Sequence, residues 1–185
     1  MAFLTPNWLQ NGEYPARYDR QLIQRAFGGR EIVFEGLTVA QNGAGAVSVI
    51  VAAGACIIQG DDQANQGMYL AVNDANITLS MPAVPGSNKR IDLISVRIND
   101  PQAGGPAGDN ASLVVTQGVA SATPVAPAAP TSALPIAQVL RTAGDAAVLT
   151  SMITDVRPLG LWPYTVSTSA VPATLPPNFL YVRVA

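Results

Sequence analysis

Residues 90–100 read RIDLISVRIND, and this run decides the fold. It is the longest β-type run in the chain, built mostly from β-branched and large apolar residues that suit a pleated, buried surface. At period two, Ile94, Val96 and Ile98 fall on one face and Ile91 and Leu93 on the other. Apolar residues on both faces predict a central strand that is covered on both sides. Arg90 and Asp92 interrupt the pattern at its start, and Arg97 near its end. Buried charges are paired, so Asp92 is expected to hold an arginine. A structural ion pair is preferred here to a catalytic carboxylate, since ion-pair networks perturb carboxylates too.

Upstream, short strands follow one another. Residues 31–35 (EIVFE), 37–41 (LTVAQ), 47–52 (VSVIVA), 55–58, 68–72 and 76–81 are β-like, and glycine, asparagine or a polar loop (GDDQANQG, 60–67) separates them. Residues 112–117 and 136–140 continue the series downstream. Strands at this spacing predict a mainly β protein, an antiparallel β-sandwich or barrel, with one short N-terminal helix and extended arms. The expected organisation is an arm and amphipathic helix over 1–30, a β domain over 31–158 and a C-terminal assembly tail over 159–185.

The helix is expected over 16–27. Pro15 suits its first turn, and Gly28 and Gly29 end it. Tyr18, Leu22 and Ala26 form one stripe with Ile23 and Phe27 beside it, while Arg17, Arg20, Gln21, Gln24 and Arg25 lie opposite. Such a helix packs its apolar face on the β domain, and its arginine face could also meet an acidic partner.

Residues 119–135, VASATPVAPAAPTSALP, carry Pro124, Pro127, Pro130 and Pro135, which favour polyproline II. A linker is one reading. An extended strap across the domain surface is preferred, because strand-like sequence resumes at Ile136. Asp155-Val156-Arg157 mirrors Arg90-Ile91-Asp92, and the two motifs are expected to lie close together and pair. After Pro158 come Trp162, Tyr164, Phe179 and Tyr181 in a proline-interrupted tail that ends in FLYVRV. A terminal strand with a free edge invites another chain. Trp8, Tyr18, Leu22, Phe27, Trp162, Tyr164, Phe179 and Tyr181 are therefore the expected assembly contacts.

Composition narrows the function. Charged residues are 12% of the 185, about half the usual share, so much of the surface is expected to be covered by other chains. Ten scattered basic residues and a net charge of −2 do not make a nucleic-acid stripe. No apolar run has the length to span a bilayer. The N-terminus lacks the basic and apolar regions of a secretory signal, so synthesis in a cytosol is expected. The chain has no histidine, which removes the common triads, zinc sites and most general-base schemes. The one cysteine, Cys56, sits in an apolar run and reads as inert. Gly43 and Gly45 lack the strand–loop–helix setting of a dinucleotide site, and Asp61-Asp62 lacks the spacing of a calcium loop. No cofactor or metal is expected. A glycosidase needs two facing carboxylates; Glu31 with Glu35 and Asp61 with Asp62 are close pairs in ordinary settings, so the chain is not expected to be an enzyme.

In order, the chain contains EGLTVAQNGAGAVSVIVAAGACIIQG, GMYLAV, NKRIDLISVRIND, VVTQGVASATPVAPAAPTSALPIAQVL and ITDVRP. This series resembles a family of minor tail or baseplate proteins of long-tailed bacteriophages, commonest in phages of actinobacteria. The matching segments fall on Val49 to Gly60, Arg90 to Leu93, Gly118 to Pro130 and Ile153 to Arg157, and Tyr14-Pro15-Ala16-Arg17 and Asp19-Arg20 are similar to the family's opening. The likeness covers most of residues 8 to 158 and stops at the tail. It implies a structural virion protein of the tail tip or baseplate, made in the host cytoplasm. It also implies a homo-oligomer, a trimer or ring, that connects the tail to host-binding components. The alternative is a receptor- or carbohydrate-binding module of the same particle with a host surface glycan as partner.

Overall fold

A computed structural model of the chain describes residues 15–160 and the backbone of strands 164–167 and 180–183. The fold is mainly β, with a sandwich-like arrangement. One helix, α1 (Arg17–Ala26), precedes the strands β1 (Ile32–Gly36), β2 (Val39–Gln41), β3 (Ser48–Val51), β4 (Gly54–Gly60), β5 (Gly67–Asn73) and β6 (Ile77–Ser80). Then come β7 (Lys89–Asn99), β8 (Asn110–Thr116), β9 (Ala133–Thr142) and β10 (Ile153–Asp155). Strands β11 (Tyr164–Ser167) and β12 (Leu180–Arg183) pair in parallel with each other.

Strands β1 to β6 form one meander bent in the middle. One half is the sheet β1-β4-β5 and the other is β2-β3-β6, both antiparallel. The pairing crosses the bend without a break, because Leu37 N–H donates to the Ala53 carbonyl and Ala52 N–H to the Thr38 carbonyl. The strands touch at the corner. A Cβ on Gly54 would stand 2.3 Å from the Glu35 carbonyl oxygen, so only glycine fits there. This explains the pattern of residues 49–60: Val49, Val51, Cys56 and Ile58 are all buried, and the alternation restarts across Gly54.

The second layer is the antiparallel sheet β10-β9-β7-β8. Ile94, Val96 and Ile98 on β7 point into the main core with Val33, Val49, Val51, Ile58, Leu134, Ile136 and Val139. On the other face of β7, Leu93 and Ser95 are also buried. Strand β9 holds a bulge between its pairings with Ile94 and Ser95. Pro135 sits at that bulge, where a missing N–H is tolerated in an inner strand.

Strands β8 and β9 flank β7, and each runs antiparallel to it, so they are parallel to each other. Parallel strands require a crossover, usually a helix. Here residues 117–132 supply it without regular structure apart from a single bridge. At one end Ser121 bridges Lys89, and at the other Ile98 N–H donates to the Ser132 carbonyl. The proline-rich strap thus spans nearly the whole length of β7. It ends at Ser132, three residues earlier than the sequence suggested, because the bulge lets Pro135 enter the strand.

Candidate functional site

Three groups of polar side chains join distant segments. In the first, the loop after β4 is tied to the end of the strap. Asp61 accepts from the Ser132 amide, and Asp62 accepts from the Ser132 hydroxyl at 2.6 Å and from the Thr131 hydroxyl at 2.5 Å. Arg97 stands 3.8 Å from the Asp62 carboxylate. Burial opposes ionisation of Asp62, but the Ser132 and Thr131 hydrogen bonds and the Arg97 charge together hold its carboxyl below the usual range. Both carboxylates are thus engaged in holding the loop to the strap.

In the second, α1 is docked on β5. Ile23 and Phe27 pack on a small cluster of Ile32, Ile57 and Met68, and Phe27 meets the Phe34 ring edge-on at 5.8 Å. Arg20 lies over the Tyr69 ring at 4.5 Å, and its Nε donates to the Gln66 carbonyl at 3.0 Å. The Tyr69 hydroxyl donates to Asp100 at 2.6 Å. Burial, and next this bond to Asp100, push the phenol's pKa up. Gly67 permits the close approach: its φ is +82°, and a Cβ there would lie 2.6 Å from the Arg20 backbone.

The docked face therefore differs from the stripe expected from sequence. Arg20, Ile23 and Phe27 face the sheet, while Leu22 is 43% exposed and Ala26 is also exposed. The cation–π contact and the Gln66 bond rotate the helix toward its arginine side. Phe27 consequently serves the chain's own packing. Tyr18 is half-buried, with the Arg17 guanidinium 5.4 Å from its ring centre. Trp8, Trp162 and Phe179 lie outside the described residues. Tyr164 and Tyr181 fall on β11 and β12 as a register pair's neighbours, Tyr164 opposite Leu180 and Thr165 opposite Tyr181, and their side chains also lie outside the description.

In the third, the charged motifs are placed. Arg90 and Asp92 are both buried, and Arg90 Nε and Nη2 donate to the Asp92 carboxylate at 2.8 and 3.1 Å. Gly118 N–H also donates to Asp92, and Arg90 donates to the Ala83 carbonyl. Asp155 and Arg157 pair with each other at 2.5 Å, and Arg157 also reaches the Gly36 carbonyl. The Arg157 hydrogen bonds and charge hold the Asp155 carboxyl below its usual range against a smaller opposing effect of burial. The expected pairing between the two motifs is not what forms. Residues two apart on an extended chain share a face, so each arginine finds the aspartate of its own motif first. The motifs also lie on different strands, with β9 between β7 and β10.

Sequence reading missed Arg141. It lies directly opposite Arg90 in the β7–β9 pairing and is wholly buried. Its place in IAQVLRT, two positions beyond Val139 on the inward face, was the available signal. Cys56 is buried in the core, where desolvation and then the nearby Glu31 charge push its thiol up to about 12, so it is inert at neutral pH. Among the described residues no group of three or more metal-ligating side chains is assembled, and no helix is long and apolar enough to cross a membrane. Open clefts occur beside α1 and between the ends of β5, β7 and β8. No protein-family model, curated protein or solved structure matches this chain.

Proposed function

We propose that the chain is a structural protein of a long-tailed phage, assembled as a homo-oligomer at the tail tip or baseplate, where it connects the tail to host-binding components. The observation that carries the reading is the order of four segments, Val49 to Gly60, Arg90 to Leu93, Gly118 to Pro130 and Ile153 to Arg157, which is similar to that of minor tail proteins. Each segment has a mechanical reason in the fold. The first bends the meander, the second holds a buried ion pair, the third crosses the sheet and the fourth closes its edge. The side chains of Leu22, Leu70, Val72, Val119, Val125 and Leu159 stand exposed, which fits a surface met by other chains. Antibody labelling of phage particles, viewed by electron microscopy, tests the assignment. Label at the tail tip is the expected result, and particles without label overturn it.

One observation favours the carbohydrate-binding alternative. A cleft of about 350 Å³ is lined by Tyr69, Leu70, Asn99, Asp100, Asp109 and Asn110, an aromatic and several amides and carboxylates of the type that hold sugars. Binding on a glycan array, lost in Asp109→Ala with the fold intact, would support that role.

A further inference from the structure

Arg141 presents an unusual electrostatic problem. Its side chain is 0% exposed, and among the described residues its Nε, Nη1 and Nη2 have no hydrogen-bond partner. None of the ion pairs among the described residues includes it. A guanidinium cannot shed its charge as a buried lysine can. An unpaired buried cation is among the least favourable arrangements in a folded chain.

The neighbours increase the imbalance. Arg90 is the residue directly opposite, and it too is buried. Like charges at opposed positions repel. The one buried carboxylate nearby, Asp92, already accepts two bonds from Arg90 and one from Gly118. Asp145, in the turn after β9, accepts from the Thr142 amide. Among the described residues two buried guanidinium groups therefore face a single buried carboxylate, and one positive charge is left over.

We propose that Arg141 binds a small monovalent anion inside the fold, at the end of the sandwich where β7 begins and β9 ends. The charge surplus of one sets the valence. Enclosure sets the size, since the guanidinium has no exposed surface and the ligand must be shut in as the chain folds. The turn after β9 and the loop before β7 close this end, joined by the bond from Ala143 N–H to the Asn88 carbonyl. The three guanidinium nitrogens supply charge-assisted donors, which suit a halide or a similarly small anion. This inference is independent of the chain's role in a particle.

Chloride is the probe. The purified full chain is melted across a chloride series at constant ionic strength, with gluconate, too bulky to be enclosed, making up the balance. The melting temperature is expected to rise by several degrees and then saturate, as for a ligand that binds only the native state. Arg141→Met should melt at one temperature throughout the series, and without chloride it should be at least as stable as the wild type, because the unpaired charge is gone. Crystals grown in bromide should show an anomalous peak at the Arg141 guanidinium. A wild-type melting temperature indifferent to chloride, an equal response in Arg141→Met, or a bromide-free Arg141 each overturns the proposal. Should Arg141→Met fail to fold, the wild-type titration and the bromide map decide the matter alone.

Discussion

Asp62 and Ser132, seventy positions apart, are joined by a 2.6 Å hydrogen bond that fastens the loop after β4 to the end of the strap. The Ser132 hydroxyl also accepts from the amides of Asp61 and Asp62 at 3.0 and 3.3 Å. One side chain thus organises two backbone segments, and it does so from a left-handed conformation with φ of 51°. Ser132→Ala should cost roughly 1–3 kcal/mol in urea unfolding, since it leaves buried polar groups without partners. Ser132→Gly should be less harmful than alanine, because glycine adopts that conformation freely. An alanine variant as stable as the wild type would show that the loop and strap hold together without the hydroxyl. The same cluster should affect acid stability. Asp62 titrates below its ordinary value of 3.8 in the fold. Its stabilising effect is therefore complete above that value and lost as pH falls through the lower folded one. Removing the Ser132 hydroxyl should flatten that part of the acid limb.

The helix is held by one face only, through Arg20, Ile23 and Phe27, so it should detach before the sandwich unfolds. Gly67→Ala would place a methyl group against the Arg20 backbone at a positive φ. Amide hydrogen exchange over Arg17–Ala26 should then rise sharply while β7 and β9 keep their protection. Simultaneous loss of protection in the helix and in β7 would show that the two form a single cooperative unit.

The two aspartate–arginine motifs should behave differently despite their similar sequences. Asp92 has a side chain 0% exposed, while that of Asp155 is 53% exposed. Asp92→Ala would leave Arg90 as a second buried, unpaired cation, at a cost of about 3–5 kcal/mol. Asp155→Ala should cost less, since the Asp155 carboxylate is half in water and Arg157, though 11% exposed, keeps its bond to the Gly36 carbonyl. Thermal melting of both variants checks the ranking, and equal losses would contradict it.

Much of this arrangement is legible in the chain, for reasons that differ from place to place. The alternation of Ile94, Val96 and Ile98 announces β7 because burial on a sheet face follows period two. The strap is legible because its prolines disfavour helix and sheet, and because strand-like sequence resumes at Ile136, which favours a strap over a linker. The docked face of the helix is not legible, because the stripe of Tyr18, Leu22 and Ala26 looks apolar by spacing alone. Its docking depends on Tyr69, Gln66 and Asp100, whose positions only the fold brings together. The pairing of the two motifs is not legible either, because symmetry of sequence says nothing of register, while i, i+2 proximity is built into any strand. Arg141 is signalled only by its register, two positions beyond Val139 on the inward face of β9, and a charge at such a position does not by itself announce burial.

Glu31 offers a test with the opposite sign from Asp62. Burial is the largest influence on its carboxyl; the hydrogen bond from the Gln59 amide opposes it, and the charge of Asp61 adds to it. The net effect raises the folded pKa above the ordinary value of 4.5. The unfolded chain therefore releases this proton at lower pH than the folded one. As pH climbs through the window between the two values, the wild type loses stability at this site. Glu31→Gln keeps an oxygen to accept from Gln59 and carries no charge, so it should not lose stability over that window. The variant is expected to be the more stable protein at neutral pH. Its advantage should shrink on acidification and vanish below the ordinary glutamate value. Urea unfolding at a series of pH values measures the difference directly. An advantage that stays constant with pH would mean that packing, rather than the buried charge, distinguishes the two side chains.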